Sequence, residues 1–495
     1  MSLAGEKKPL LTKAVVDSQD DTTVEHSQDV PSLKDEAWDI LRLGVPIFIA
    51  RLSWVGMKTT DTALLGHVSS KALSASALSD LWTMCTQVLL TGQVLGVFIG
   101  GAVGAGNPKL AGIYLQVSLV VLGSMSLIVF TAWNLTEQVW VAFGSDPEVA
   151  AMAGYYSRVL SFAIPGILVF GQVSQFFSAQ RIMNPEVNSA SFGLLMNLVL
   201  GLIFVLGWPI TGFGGYGFEA CPIVTATVTY LQLALIMIVY IKIQRLHETC
   251  WGGWNWAEIT KVRIVAFCEL YIPAALAYAS DFWRTGVIGA VAAKLGEQEV
   301  AVFNTSYRIM WIALVLVGAL SGASAINMSL RLGGMNPKGA KQAGYVGIVM
   351  ATSMLLILSI AILFDSRLFG MIFTQDEEFL DMFEEARIPF TLTLFCMNLA
   401  VALERIPYSM GRTREVFAMG FVGSWVGQVP AVFLCTAYWR DDLVGLYTGM
   451  AIGYFLLVVL YGVIVYRSDW AKYAELAQQR SESSSSTTKK PVLVV

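Results

Sequence analysis

The sequence predicts an all-α polytopic membrane protein of twelve transmembrane helices, arranged as two six-helix lobes related by a pseudo-twofold axis. Three observations predict it. The 495-residue chain is 55 % hydrophobic and 14 % charged, with a mean hydropathy of +0.62, too apolar for a soluble globular domain. Apolar runs long enough to cross a ~30 Å hydrocarbon core as helices follow one another from Leu43 onward. Two polar turns also recur in nearly one register. Gly104-Ala105-Gly106-Asn107-Pro108-Lys109 returns as Gly333-Gly334-Met335-Asn336-Pro337-Lys338, and Phe143, Asp146 and Glu148 return as Phe373, Asp376 and Glu378. A repeat of this kind marks a duplicated half.

Residues 1–36 are polar, without an apolar stretch of signal-peptide length, and read as a disordered cytosolic tail. Within it, Glu6-Lys7-Lys8-Pro9-Leu10-Leu11 has the spacing of an acidic dileucine sorting signal for vacuolar or lysosome-like membranes; the plasma membrane is the other address. The first lobe, 37–241, holds spans at Leu43–Thr62, Leu73–Gly100, Leu110–Asn134, Val149–Ser178, Ala190–Trp208 and Tyr216–Ile241. A linker, 242–263, carries Trp251, Trp254 and Trp256, placed at the membrane interface. The second lobe, 264–468, holds spans at Ile264–Ala292, Val300–Met328, Gln342–Leu363, Met382–Leu403, Val416–Ala437 and Leu443–Val465. Residues 469–495 read as a second disordered cytosolic tail, polar and low in complexity.

Orientation follows from the basic residues. With both termini in the cytosol, Lys109, Arg181, Lys242, Arg245, Lys261, Arg263, Arg331, Lys338, Lys341, Arg405, Arg412 and Arg414 fall on that side with the tails, and Lys71, Lys294, Arg367 and Arg440 fall opposite. The outer loops are acidic, with Asp146 and Glu148 in one half and Asp376, Glu377, Glu378 and Asp381 in the other. An even number of spans per half gives both halves the same orientation, so the axis relating them runs along the membrane normal.

Several function classes drop out. Cys85, Cys221, Cys250, Cys268, Cys396 and Cys435 are scattered singly, and His26, His67 and His247 are dispersed, so no metal-ligand or disulfide framework is indicated. No nucleophile, phosphate-loop or hydrolase arrangement appears, and no basic patch interleaved with aromatics suits a nucleic acid. We expect no enzyme, no cofactor beyond a coupling proton or sodium ion, no metal, and a monomer whose partners are the lipid bilayer and a small organic solute.

Charges inside the apolar runs carry the functional signal. Arg51, Lys58, Arg158, Arg284, Arg308 and Arg387 lie within expected spans, where each would cost at least ~2.5 kcal/mol against lipid. They need partners or a watery cavity. Asp61 follows Lys58 by three residues and Asp281 precedes Arg284 by three, so each pair shares a helix face. Arg51, Arg158 and Arg387 are near enough to span ends to snorkel. An acid and a base in the first span of each half suggest a carrier; the competing reading is a pair of ionic helix locks.

From Leu41 to Val465 the chain resembles the multidrug and toxic compound extrusion (MATE) family. The resemblance rests on Asp61-Thr62-Ala63-Leu64-Leu65-Gly66-His67, on Gly104-Ala105-Gly106-Asn107 through Gly112 and Gln116, on Phe143-Gly144-Ser145-Asp146-Pro147-Glu148-Val149, and on Ile272-Pro273 followed by Asp281-Phe282-Trp283. It implies two lobes rocking about a central cavity and exporting an organic solute or xenobiotic as a proton or sodium ion enters, with Asp281 and Asp61 as cation-coupling carboxylates. The expected cavity residues are Arg284, Arg308, Tyr278, Trp283, Trp311, Asn197, Asn304 and Asn398.

The departures from the family pattern matter too. Bacterial members pair Asn with Asp four residues on in the fifth span, whereas here Asn197 is followed by Gly201, so Asp61 loses a partner. Acids of animal-type members fall on Gly286 and Arg308, and an arginine there disfavours an organic cation and suits a neutral or anionic solute. Glu404, near the end of the tenth span, matches no family carboxylate. A flippase for a lipid-linked oligosaccharide or polysaccharide is the alternative function, since it shares the duplicated architecture; a channel or receptor fits the intramembrane charges less well.

Overall fold

The computed structural model describes residues 30–91, 94–210, 212–371 and 375–482. The dileucine stretch Glu6 to Leu11, Phe373 and residues 483–495 lie outside them. The first lobe comprises α1 (Leu33–Val68), α2 (Ser70–Thr91), α3 (Leu95–Gly104), α4 (Pro108–Asn134), α5 (Thr136–Ala142), α6 (Pro147–Ser161), α7 (Ile164–Ser178), α8 (Asn184–Phe204) and α9 (Ala220–Leu235), which runs on as a π-helical stretch Ile236–Ile243. The second comprises α10 (Lys261–Leu295), α11 (Glu297–Gly333), α12 (Pro337–Phe364), α13 (Ser366–Met371), α14 (Glu377–Glu385), α15 (Arg387–Ser409), α16 (Thr413–Phe421), a π-helical stretch Val422–Gln428, α17 (Val429–Tyr438) and α18 (Leu443–Tyr466), with α19 (Trp470–Glu482) beyond it.

The α2–α3 and α16–α17 pairs each form one span, and α6 and α7 form another bent by 53°, giving twelve among the described residues. Pro165, at the start of α7, lacks the amide that would donate to the Ser161 carbonyl and continue the ladder, and the neighbouring Phe162 carbonyl accepts from the Tyr230 hydroxyl at 2.7 Å.

Both repeated turns are helix N-caps. The Asn107 side chain accepts from Leu110 N ahead of α4, and Asn336 from Gly339 N ahead of α12, each with proline in the first helical turn. The chain reaches each cap through a left-handed residue, Gly106 at φ +74° in one half and Met335 at φ +54° in the other. Asp146 and Asp376 likewise cap α6 and α14, accepting from Glu148 N and Glu378 N.

The lobes meet at the end of the bundle that carries Lys109, Arg181, Lys338 and the inter-lobe linker, here termed the basic end. Its centre is a crossing of α3 over α11. A Cβ on Gly104 would lie 2.0 Å from the Leu330 carbonyl oxygen, and one on Gly333 would lie 2.3 Å from the Gly101 carbonyl oxygen. These two approaches are the same contact made twice, since Gly101 and Gly104 correspond to Leu330 and Gly333 in the repeat, and the pseudo-twofold axis therefore passes between the two helices. Small residues let the backbones touch. Beside the crossing, Ile40, Leu43 and Ile47 pack on Ala319, Leu320 and Ala323. Glu36, fully buried, pairs with Arg331 at 2.5 Å, and Asn327 Nδ2 donates to Glu36 and Asp39.

Two expected tails are shorter than the sequence suggested. The segment 1–36 reaches into α1, whose N-cap is Ser32, because the buried Glu36 has Arg331 as a counter-charge. From 469 onward, a mostly polar composition concealed α19, whose Trp470 and Ala474 pack against Met328, Leu332, Ala340 and Ala343. The linker folds back on the first lobe: Gln116 Nε2 donates to the Gly253 carbonyl at 2.8 Å, its Oε1 accepts from Asn255 N at 2.9 Å, and a Cβ on Gly112 would meet the Cys250 carbonyl at 2.4 Å. Trp254 and Trp256 remain exposed.

At the opposite, acidic end three of the four expected bases form ion pairs. Lys71 pairs with Glu148, Arg367 with Glu377, Asp381 and Glu384, and Arg440 with Glu385 and Asp442. The surrounding carboxylates hold the Arg367 and Arg440 guanidinium groups above their ordinary range, the hydrogen bonds they donate to Glu384 and Glu385 being the largest cause in each case. Arg158 and Arg387 belong to this end as well, facing Glu137 at 3.5 Å and Glu384 at 3.7 Å.

Candidate functional site

A cavity of about 290 Å³ lies between the lobes. The first lobe contributes Arg51, Trp54 and Val55 from α1. The second contributes Tyr278 and Asp281 from α10, Trp311 from α11, Glu404 and Arg405 from α15, Phe421 from α16 and Tyr461 from α18.

Asp281 sits on the cavity side of α10, its side chain about half exposed at 54 %, while Arg284, one turn on, is buried. The two are 3.3 Å apart, Arg284 Nη1 to Asp281 Oδ1, so the expected pair forms. Arg284 is anchored from behind. It donates to the Ser424 hydroxyl at 2.8 Å and the Tyr454 hydroxyl at 3.1 Å, and its guanidinium carbon lies 5.0 Å from the Tyr454 ring centroid. Ser424 belongs to the π-helical stretch Val422–Gln428, whose wider turn carries this hydroxyl. Arg284 is therefore a support for Asp281 and not a wall of the cavity.

The first-lobe pair is corrected. Lys58 pairs with Asp80 on α2 at 2.7 Å, across helices, and not with Asp61 three residues along its own. Asp61 is buried and accepts from Asn197 Nδ2 at 3.0 Å and the Thr225 hydroxyl at 2.9 Å. Asn197 is thus the fifth-span partner, and where an acid was missed at Gly201, a Cβ would lie 2.3 Å from Leu64 Cδ1, so apolar packing fills the site. This cluster lies within the first lobe, away from the residues lining the cavity.

Of the other expected cavity residues, Tyr278 and Trp311 line it. Trp283 is exposed, since two residues along a helix turn its side chain roughly 200° from that of Asp281. Arg308 and Asn304 are exposed on α11, one and two turns beyond Trp311 toward the acidic end and outside the cavity lining. The argument from Arg308 for a neutral or anionic solute loses its basis. Asn398 is fully buried within the second lobe and donates to the Leu394 carbonyl.

Three charged residues of the cavity went unassigned in the sequence. Arg405 falls beyond the apolar run ending at Leu403 and reads there as a loop residue, but α15 continues through Pro407 to Ser409. This places Glu404 and Arg405 inside the span. Arg51 does not snorkel; it lies against α11, where a Cβ on Gly318 would be 2.7 Å from its Nη1. The signal available for it was position, since Arg51 falls near the middle of α1 and not at its end.

The MatE family model matches the chain twice in succession, over residues 46–203 and 273–434, one match per lobe. The chain is 24 % identical over 462 residues to Protein DETOXIFICATION 16 of Arabidopsis thaliana, covering 92 % of this chain and 93 % of the relative. It is 23 % identical over 463 residues to Multidrug and toxin extrusion protein 1 of Danio rerio, covering 92 % and 76 %. Its fold is similar to that of the eukaryotic MATE transporter AtDTX14, with a TM-score of 0.83 at 20 % identity over 91 % of this chain and 99 % of that one. It is also similar to that of a multidrug resistance MATE family transporter solved in an outward-facing conformation, with a TM-score of 0.78 at 17 % identity over 93 % and 100 %.

Proposed function

The chain belongs to the MATE family, and from that premise we propose that it is a secondary active antiporter, exporting an organic solute in exchange for protons or sodium ions by alternating access of its two lobes. The observation that carries this reading is the half-exposed Asp281 in an inter-lobe cavity, backed by a buried Arg284 that Ser424 and Tyr454 also hold. Asp281 can take a proton or sodium ion from the cavity side without unfolding its surroundings, because Arg284 keeps its other contacts to Ser424 and Tyr454. Asp61, held by Asn197 and Thr225, is the counterpart in the first lobe. A solute with a positive group and the coupling ion compete for one carboxylate, and mutually exclusive occupancy is what converts an ion gradient into solute export.

The basic end is the cytosolic end in this reading. The α3–α11 crossing and the Glu36–Arg331 pair then form a gate closed to the cytosol, and the opposite state separates them. The drive is adequate. One pH unit supplies about 1.4 kcal/mol per proton and 100 mV about 2.3 kcal/mol per charge, together enough for solute gradients of roughly a hundredfold. The relatives named for multidrug and toxin extrusion support a xenobiotic as the cargo.

The test is a screen of radiolabelled organic solutes in proteoliposomes with proton and sodium gradients imposed separately, with lipid scrambling read in the same vesicles. Gradient-dependent solute movement without scrambling is expected. Scrambling without solute movement would favour the flippase reading.

A further inference from the structure

The segment after the sixth span of each lobe folds back on the third span of that lobe. The linker does so on α4, at Gly112 and Gln116, and α19 does so on α12, where Trp470 and Ala474 pack with Ala340 and Ala343. The helix α19 then goes further. At its far end Ala477, Arg480 and Ser481 line one crevice with Phe98 and Gly101 of α3 and Tyr114 of α4. In the repeat Ala343 corresponds to Tyr114, as Pro337 does to Pro108, so α19 lies across the pseudo-twofold axis, beside the α3–α11 crossing, with the same position of each lobe against one of its ends.

Arg480 is held by both lobes. Its carbonyl is among the last four of the helix, which have no donor within it, and the Tyr114 hydroxyl of the first lobe donates to it at 3.4 Å. Its guanidinium lies across the second-lobe turn after α15, where a Cβ on Gly411 would be 2.6 Å from Nη1. The helix as a whole is fixed to the second lobe. Residues 467–469 alone separate it from α18, and Arg412 Nη1 donates to the Ser468 hydroxyl at 2.6 Å while its guanidinium carbon lies 5.0 Å from the Tyr473 ring centroid. Because α19 moves with the second lobe, separating the lobes at the basic end must break its contacts with α3 and α4.

We propose that α19 is a strap across the two lobes, a built-in restraint on opening of the cavity at the basic end. The proposal rests on the transport reading for the motion it restrains, and adds a control on that motion from outside the twelve spans. One hydrogen bond and a few side chains on the first lobe bias a two-state equilibrium without locking it.

The test reads the distance between the lobes. Lys109 and Lys338 are exposed, equivalent in the repeat and on opposite lobes, so each is replaced by a spin-labelled cysteine in a cysteine-free background and the pair is measured by double electron–electron resonance in nanodiscs. Deleting residues 469–495 should raise the long-distance population several-fold, and deleting residues 483–495 alone should leave it unchanged. Tyr114→Phe, which keeps the ring and removes the donor, should move the full-length chain the same way by less. No shift in the longer deletion, or in Tyr114→Phe where that deletion does not fold, overturns the proposal. For flux in proteoliposomes, Ser481→Cys is paired with Tyr114→Cys or with Ser409→Cys and each pair is oxidised to a disulfide. The first disulfide ties α19 to the first lobe and should stop gradient-driven solute movement, with reduction restoring it; the second ties α19 to the lobe it already rides on and should not. Full flux with the first disulfide formed overturns the strap. If the distances shift as expected but neither gradient moves any solute in the unmodified protein, the transport reading fails and the strap stands.

Discussion

At the scale of single residues, the carboxylates differ by what surrounds them. Asp281 faces the cavity and Asp61 does not, so Asp281→Asn should lower gradient-driven transport at least tenfold with expression intact, and Asp61→Asn should lower it less, because the asparagine oxygen can still accept from Asn197 while its Nδ2 donates to the Thr225 hydroxyl, which has the Cys221 carbonyl as another acceptor. Flux in matched vesicles checks both; full gradient-driven transport by Asp281→Asn would remove it from the mechanism. Lys58 and Asp80 are a partly buried pair, their side chains 25 % and 24 % exposed. Lys58→Ala should cost about 1 to 3 kcal/mol after discounting for that exposure, and the Lys58→Met, Asp80→Leu double variant should recover most of it in a thermal-melt cycle. The sequence made Asp281 and Arg284 legible because both lie three residues apart on one helix. It misassigned Lys58, since a same-face neighbour says nothing about a better-placed carboxylate one helix away. Arg405 was hidden for a different reason: a charged pair, Glu404-Arg405, ends an apolar run in the sequence whether the helix stops there or continues.

At the scale of elements, the repeat was the most readable feature, because its residues are caps and turns whose chemistry is local. Asn107 and Asn336 do the same work at α4 and α12, as Asp146 and Asp376 do at α6 and α14. The helix crossing was not readable, since Gly101, Gly104 and Gly333 look like any membrane glycines until a backbone is set beside them. Its tightness gives a prediction. Gly104→Ala must push Leu330 away, because no rotamer removes a Cβ from a carbonyl oxygen 2.0 Å distant. The variant should therefore favour separation of the lobes at the basic end, raising the thiol reactivity of a cysteine introduced at Ser329 several-fold over that in the parent background; unchanged reactivity would show that the crossing does not report lobe closure. The helix α19 escaped notice because its polar face dominates its composition, while the face that packs is carried by Trp470, Tyr473, Ala474 and Ala477.

At the scale of the whole molecule, two lobes joined at one end of a shared cavity make orientation and coupling the properties to establish. Orientation predicts that a single cysteine at Thr249, in the linker, resists impermeant thiol reagents in intact cells with the protein at the surface, whereas one at Glu378, at the acidic end, reacts; the reverse pattern would invert the topology. The central claim is that solute and cation exchange through the same carboxylate. Its most direct measurement is solute-evoked ion movement in proteoliposomes holding no initial ion gradient, with internal pH and internal sodium recorded as a transported solute is added outside. Protons or sodium ions are expected to leave as solute enters, at a fixed ratio, and Asp281→Asn is expected to lose that counterflow. Solute entry at full rate with neither ion moving would contradict it.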